Sequence, residues 1–325
     1  MASACVAESL TDIRIFVAAY EECSFTAAAG REHATQSGVS QHIRKLEEGF
    51  GVSLFTRNKG KVVPTLAADA YYQRCIEVLH TLASGKNAVM AFAGIAGDVN
   101  VGLMPTMTRA TLAPSIRRLV AEHPNVTVHV VEGYSGILTE RVANGELDFA
   151  IVPAFAGETG LSVKPFLQTW ETMVASHARG SHLRPVRLRD NGPLRIVAPG
   201  RANTRRHTLE IYFRINHVQV ERIIELDTMM GALDFVATSD WITIVPALMM
   251  NGDIESGQYS VRPIVGPAAT LDLVLIEPMR SSLSPPATAF LDILRSEAVR
   301  LNEIWRRYVE EPQSASNFEP GLDRL

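Results

Sequence analysis

The sequence predicts an α+α/β protein in three blocks: a small helical head, one long helix, and a larger α/β body of two subdomains. Three observations carry this expectation. Between Ser24 and Phe50 two helical periodicities flank a tight turn. From about Leu66 to Phe92 no proline interrupts a 4-3-4 alternation of apolar residues. Beyond Gly94, alternating apolar strands are separated by helical segments, the pattern of a parallel sheet covered by helices. At 325 residues the chain is long enough for two or three domains, each with its own core.

In the head, Ile13, Phe16, Val17 and Tyr20 recur at i, i+3, i+4 and i+7, which predicts a supporting helix over about Thr11 to Glu22. Further on, Val39, Ile43, Leu46 and Phe50 predict one buried helical face. Ser37, Ser40, Gln41 and Arg44 form another face, able to hydrogen-bond to base edges or phosphates. Thr35 is the expected N-cap and Gly49 the expected C′ stop. The small pair Ala28-Ala29 lets the preceding helix cross closely. This is helix-turn-helix spacing. After it, Leu54-Phe55 and Val62-Val63-Pro64 flank Arg57-Asn58-Lys59-Gly60-Lys61, two short strands around a hairpin that reads as a wing or, failing that, as a solvated charged loop. The whole chain carries a net charge of -4, so the basic surface that DNA needs must be local; Arg44, Lys45, Arg57, Lys59 and Lys61 outnumber Glu47 and Glu48 here.

Leu10, Phe16, Ser24-Phe25, Ala28-Ala29, Thr35-Gln36-Ser37, Val39-Ser40, Ile43, Leu46-Glu47, Gly51, Leu54-Phe55 and Arg57 together resemble the N-terminal signature of LysR-type transcriptional regulators. The resemblance runs on to about Leu301. Four positions depart from the family's habit: Cys23 and Ala68 where Gly is common, Glu32 where Leu is common, and Ser37 where Pro is common. Glu32 would put a carboxylate on an inner face, where it must find a partner or reach out to solvent. The resemblance implies a winged helix-turn-helix over 1–65, a linker and dimerisation helix over 66–94, and an effector-binding domain over 95–310 that resembles periplasmic solute-binding proteins. Its subdomains would be about 95–167 with 268–310, and about 168–267; residues 311–325 would be a tail. It implies double-stranded DNA as partner, contacted by Thr35, Gln36, Ser37, Ser40, Gln41 and Arg44, with Arg57, Lys59 and Lys61 on phosphates.

On the long helix, Tyr71, Cys75, Val78, Leu82, Val89 and Phe92 form a seam broken only at Gly85. Such a seam either meets a partner helix or packs on its own domain. The resemblance implies the former, in a homodimer, with a homotetramer as the larger alternative. In the body, strands are expected at Val99–Leu103, Val126–Val130, Leu147–Val152, Thr172–Ala175, Leu194–Val197, Val218–Leu226, Ile242–Val245 and Leu271–Leu275. Helices are expected near Thr108–Glu122, Ser135–Ala143, Thr204–Arg214, Thr228–Ala237 and Ser284–Tyr308.

In open α/β sheets ligands collect at the carboxyl ends of strands, and a helix N-terminus suits an anion. The resemblance places the effector cleft at the strand end before Thr106 and Thr108. Ser135 opens the next helix of that subdomain, and Arg201 and Asn203 follow a strand of the other. A small, anionic effector, a carboxylate, is therefore expected; the alternative is that these hydroxyls merely cap their helices.

No catalytic or metal site and no cofactor is expected. Gly133-Tyr134-Ser135-Gly136 lacks nucleophile-elbow spacing, and Gly94-x-x-Gly97 is not a dinucleotide fingerprint. His177, His182, His207 and His217 show no ligand spacing. Trp241 reads as core or as a cleft residue. Cys5, Cys23 and Cys75 form no framework. No signal sequence and no membrane-length apolar run is read, so a cytoplasmic protein is expected, and a solute-binding module without DNA function is the disfavoured alternative.

Overall fold

The computed structural model describes residues 8–58, 61–91, 94–155, 157, 160–201 and 203–310. The chain falls into two compact units, one formed essentially by residues up to Phe92 and the other by residues from Ala93 on.

The first unit opens with α1, Leu10–Glu22, α2, Phe25–Arg31, and α3, Gln36–Phe50. Each has a side-chain N-cap: Ser9, Ser24 and Thr35 accept hydrogen bonds from the backbone N–H of Asp12, Ala27 and Gly38. Ser9 and Asp12 complete a capping box. The three helices close on Phe16, Val17, Ala28, Val39, Ile43 and Leu46, all buried, and Ala28 at full burial is where α2 crosses without a large side chain in the way. Strands β1, Phe55–Asn58, and β2, Lys61–Pro64, pair antiparallel as the wing. α4, Leu66–Ala91, follows.

Two local expectations need correction. α3 passes through Gly49 and ends at Gly51, whose φ of 70° is the left-handed conformation that terminates a helix. Phe50 is consequently 40% exposed rather than buried, although it meets Tyr71 edge-on with ring centroids 4.9 Å apart. Two departures from the family's habit also find their reason. Cys23 caps α1 at φ 47°, a conformation glycine takes without strain. Glu32 caps α2 and pairs with Arg14 at 2.9 Å, so the inward carboxylate is neutralised.

The seam of α4 divides. Tyr71 and Cys75 belong to the head's own core, whereas Val78, Leu82 and Val89 are 44, 54 and 71% exposed; Phe92 lies outside the described residues.

The second unit carries two helix-covered sheets joined through one long strand, β6. The first half is β3, Gly97–Leu103, β4, Val126–Glu132, and β5, Phe149–Pro153, with order β4-β3-β5 and parallel pairing. Between them run α5, Pro105–Met107, a π-helical turn Thr108–Leu112, α6, Ala113–Glu122, and α7, Ser135–Ala143. β6, Leu161–Ser176, crosses to the other half, where β7, Leu194–Ala198, α8, Thr204–Ile215, β8, Val220–Glu225, α9, Met229–Ala237, β9, Ile242–Pro246, and β10, Tyr259–Pro263, follow. The chain returns by β11, Thr270–Pro278, and ends in α10, Pro285–Glu310.

Up to Trp170, β6 pairs antiparallel with β11; from Glu171 on it pairs with β9 and β10. β10, the first half of β6, and the antiparallel pairing of β11 were not foreseen: β10 has no clean alternation, and antiparallel partners far apart in sequence leave no local trace. α10 serves both halves. Phe290 and Leu294 fill the first core, while Trp305 is fully buried in the second against Trp241's cluster. Trp241 is thus a core residue, 8% exposed.

Candidate DNA-reading face and ligand cleft

On α3 the inner face is sealed in the core, and the outer face carries the predicted readers. Thr35, Gln36, Ser37, Gln41 and Arg44 are exposed, and Ser40 is half-buried. Gln36 Nε2 donates to Ser40 Oγ at 3.0 Å, and the Thr35 and Ser37 hydroxyls lie 3.2 Å apart. Among the described residues Gln41, Arg44 and the exposed Arg57 of the wing make no hydrogen bond or ion pair. Lys59 and the side chain of Lys61 lie outside the described residues.

Four supporting residues, Asp12, His42, Lys45 and Glu47, make contacts that escaped sequence reading. Asp12, 1% exposed, accepts from the Ser9 hydroxyl and N–H, lies 2.5 Å from His42 Nδ1 and 3.5 Å from Lys45 Nζ. Burial raises its pKa, but the His42 and Ser9 hydrogen bonds and Lys45 outweigh that and hold the carboxyl well below the usual carboxylate range. His42 and Lys45 sit on α3, so Asp12 fixes the reading helix to α1. Glu47 then accepts from the N–H groups of Leu54 at 2.7 Å and Phe55 at 3.1 Å, tying α3 to the wing. The Ser9-x-x-Asp12 spacing was a legible signal for the first contact; nothing local marks the second.

In the second unit, a cleft lies at the carboxyl ends of β3 and β7. Its inner recess has a volume of ≈ 30 Å³, with Met104, Thr106, Val197, Pro199, Asn203, Arg205, Met229 and Thr243 in its walls. Next to it is an open cavity of ≈ 520 Å³ bordered by Thr108, Arg109, Glu132, Tyr134, Ile137, Asp227 and Met230; Pro105, Tyr134 and Met229 line both.

The candidate ligand residues fare unequally. Thr106, 2% exposed, lines the recess, and its hydroxyl makes no hydrogen bond among the described residues. Thr108 lines the outer cavity, donating to the Glu132 carboxylate and, at 3.4 Å, to the Pro105 carbonyl. Asn203 lines the recess while capping α8, its carboxamide oxygen accepting from Arg205 N–H at 3.0 Å. Ser135 and Arg201 line neither cavity. Ser135 meets the Thr204 hydroxyl at 3.2 Å, and Arg201, its side chain 84% exposed, leans toward Glu225 at 3.7 Å.

The arginine that lines the recess is Arg205, which sequence reading passed over as one position inside a helix. Its guanidinium grips buried Glu171 through two bonds of 2.8 and 2.7 Å and also donates to the Ile244 carbonyl. Across the outer cavity, Arg109 of the π-helical turn donates to Asp253 at 2.5 Å and to the Met249 carbonyl at 2.8 Å. Both arginines are therefore neutralised from within. Glu132 and Asp227 have no basic side chain within 4.0 Å among the described residues, although Asp227 accepts from Gly200 N–H at 2.9 Å. Burial, then Asp227 and Glu132, raise the Tyr134 pKa despite Arg205. Pro105 at the first helical position removes one of the N–H groups expected to greet an anion.

No group of three or more His, Cys, Asp or Glu side chains among the described residues could hold a metal ion. His182 is occupied structurally, facing the Ile254 carbonyl at 2.9 Å and accepting from Val261 N–H at 3.1 Å. No described helix is long and apolar enough to cross a membrane.

A helix-turn-helix head with a free polar row, and a separate two-subdomain body with a ligand-sized cleft, define a DNA-binding regulator with a ligand-binding domain. Residues 10–69 match the bacterial regulatory helix-turn-helix protein, lysR family, and residues 93–299 match the LysR substrate binding domain. The chain belongs to the LysR family of transcriptional regulators. It is 23% identical over 286 residues to the nitrogen assimilation regulatory protein nac of Escherichia coli, covering 87% of this chain and 93% of that one. With the HTH-type transcriptional regulator BenM of Acinetobacter baylyi the identity is 26%, covering 80% and 86%. Among solved structures, a full-length OxyR variant from Pseudomonas aeruginosa shares the fold with a TM-score of 0.55 at 20% identity, covering 90% and 94%. These relatives are regulators, not enzymes.

Proposed function

We propose that this regulator reads double-stranded DNA with α3, in the major groove, and responds to a small effector in the cleft between the two subdomains. Gln36, Ser37, Ser40, Gln41 and Arg44 are its base-edge and phosphate contacts, capped by Thr35, while Arg57, Lys59 and Lys61 of the wing hold phosphates. The observation that carries this reading is the state of Gln41 and Arg44: long donors on a rigid, capped helix, exposed and without partners among the described residues, opposite a face buried in the core. A solute-binding module without DNA function leaves the helix-turn-helix match over 10–69 unexplained.

The protein works as a homodimer, two reading helices one DNA turn apart, with pairing of dimers into a homotetramer as a further step. The exposed Val78, Leu82 and Val89 of α4 supply the contact. Leu82→Glu would bury a charge there. Sedimentation should show a monomer; a variant that remains fully dimeric places the interface elsewhere. The DNA role is tested by salt-dependent binding: Arg57→Ala should weaken specific and random DNA alike and lower the salt slope by about one unit, and an unchanged slope removes the wing from the phosphate contacts. The protein is proposed to act in the cytoplasm, where its DNA is.

For the effector, Thr106 and Asn203 in the recess and Thr108 on the outer wall are the proposed contacts; Ser135 and Arg201 stand outside both cavities. With Arg201 withdrawn, the anionic effector expected from sequence loses its counter-ion, which leaves its charge to be argued from the cleft itself.

A further inference from the structure

The hydrogen-bonding groups around the cleft are mostly spoken for, so the few left open define what could occupy it. Two of them lie inside. Among the described residues the Thr106 hydroxyl, in a residue 2% exposed, has no partner, and Arg205 leaves Nη1 without a hydrogen bond after Nε and Nη2 have bound Glu171 and Ile244. Both residues line the recess, where ordered water or a ligand can supply the acceptor. The recess, at ≈ 30 Å³, has room for about one such atom, since a water's share of liquid is about 30 Å³. Because Glu171 already balances the Arg205 charge, that atom need not be an anion.

The outer cavity, ≈ 520 Å³, is of a size to hold the body of a small metabolite. Its charges do not cancel. Arg109 is spent on Asp253, whereas Glu132 and Asp227 face the cavity with no basic side chain within 4.0 Å among the described residues. Apolar surface from Ile137, Met229 and Met230 lies between.

Resting on the cleft as the effector site, we propose that the effector is a small amine: an ammonium group held by Glu132 and Asp227 in the outer cavity, a short apolar span, and a hydrogen-bond acceptor that enters the recess to meet Thr106 and Arg205. Two carboxylates around one ammonium match its three donors, and they repel a second carboxylate in the same place. An anion with negative charge at both ends is thereby selected against.

The test uses the full chain and four probes of nearly one length: δ-aminovalerate, with ammonium and acceptor; pentylamine, with ammonium alone; valerate, with acceptor alone; and glutarate, with a carboxylate at each end. Calorimetric titration to about 10 mM, enough to detect millimolar binding, should rank δ-aminovalerate first and glutarate last. The double substitution Glu132→Gln, Asp227→Asn should weaken δ-aminovalerate about tenfold and leave valerate unchanged. Glutarate binding as tightly as δ-aminovalerate, no binding by either amine, or an unchanged affinity in the double variant overturns the proposal. Thr106→Ile, which fills the recess, separates this failure from failure of the cleft itself. Tight glutarate that Thr106→Ile abolishes keeps the cleft and rejects the amine. Probes indifferent to both Thr106→Ile and the double variant reject the cleft as the site.

Discussion

The proposed reading face of α3 and the wall of the cleft are both polar surfaces on buried scaffolds, yet they spend their hydrogen bonds in opposite ways. On α3, Gln41 and Arg44 make no hydrogen bond among the described residues, and structural duty is passed to His42, Lys45 and Glu47 beside them. In the cleft, Arg205, Arg109, Thr108 and Asn203 are committed to Glu171, Asp253, Glu132 and a helix cap, and among the described residues Thr106, Tyr134, the Asn203 nitrogen and part of Arg205 stay open. The contrast teaches where stability and binding overlap. A face that reads an external polymer can be altered with little harm to the fold, whereas a cleft inside a body is assembled from the groups that hold the body together.

The sharpest way to break this contrast is Arg205→Met. It leaves Glu171, 3% exposed, as an uncompensated buried charge, which costs about 3–5 kcal/mol. Thermal unfolding should show the ligand-binding unit strongly destabilised; a loss under about 1 kcal/mol would mean that water reaches Glu171 and that the cleft is less structural than its wall suggests. At the reading face the corresponding change is Gln41→Ala. It should cost about 1–3 kcal/mol on the specific DNA site and little on random DNA, while stability moves by no more than about 0.5 kcal/mol. Equal loss on both DNAs removes Gln41 from the readers.

The same contrast governs how much could be read from sequence. Val39, Ile43 and Leu46 against Ser37, Gln41 and Arg44 lie within one stretch of helix, so period alone separated buried from reading face. The exception, Phe50, came from placing the helix end at Gly49 instead of Gly51. The cleft draws on the ends of β3, β4, β7 and β8, brought together only by the sheet. Sequence position pointed to Thr106, Thr108 and Asn203, which do line it, but chose Arg201 over Arg205. Choosing between them needs the direction of each side chain at the start of α8, and knowledge that Glu171, 34 residues earlier, waits inside. The carboxylates were invisible for the same reason: Glu132 and Asp227 matter because no basic side chain pairs with them among the described residues, Arg109 across the cavity being held by Asp253.

Asp12 tests the structural duty beneath the reading face. Asp12→Asn keeps the shape but loses the ion pairs and much of the capping box, an expected cost of about 0.5–2 kcal/mol at neutral pH. The carboxyl's pKa is depressed on folding, so its contribution is full above the unfolded value of about 4 and fades as the pH falls toward the lower folded value. Acid titration of the two proteins should therefore show a gap at pH 7 that narrows below about pH 4. A gap independent of pH assigns the loss to packing instead of charge.

The smallest effect is expected at Thr106, and it separates binding from structure within the cleft. A hydroxyl that lines the recess with no protein partner among the described residues contributes little that a methyl group would not, so Thr106→Val should be neutral or stabilise the ligand-binding unit by up to about 1 kcal/mol. Effector affinity should move the other way, falling by the loss of one hydrogen bond to the acceptor in the recess, while DNA affinity without effector stays as it was. Opposite signs for stability and affinity are the mark of a group kept for its ligand. If Thr106→Val destabilises the unit by more than about 1 kcal/mol, the hydroxyl has a partner inside the protein, and Thr106 is not free for a ligand in the way Gln41 is free for DNA.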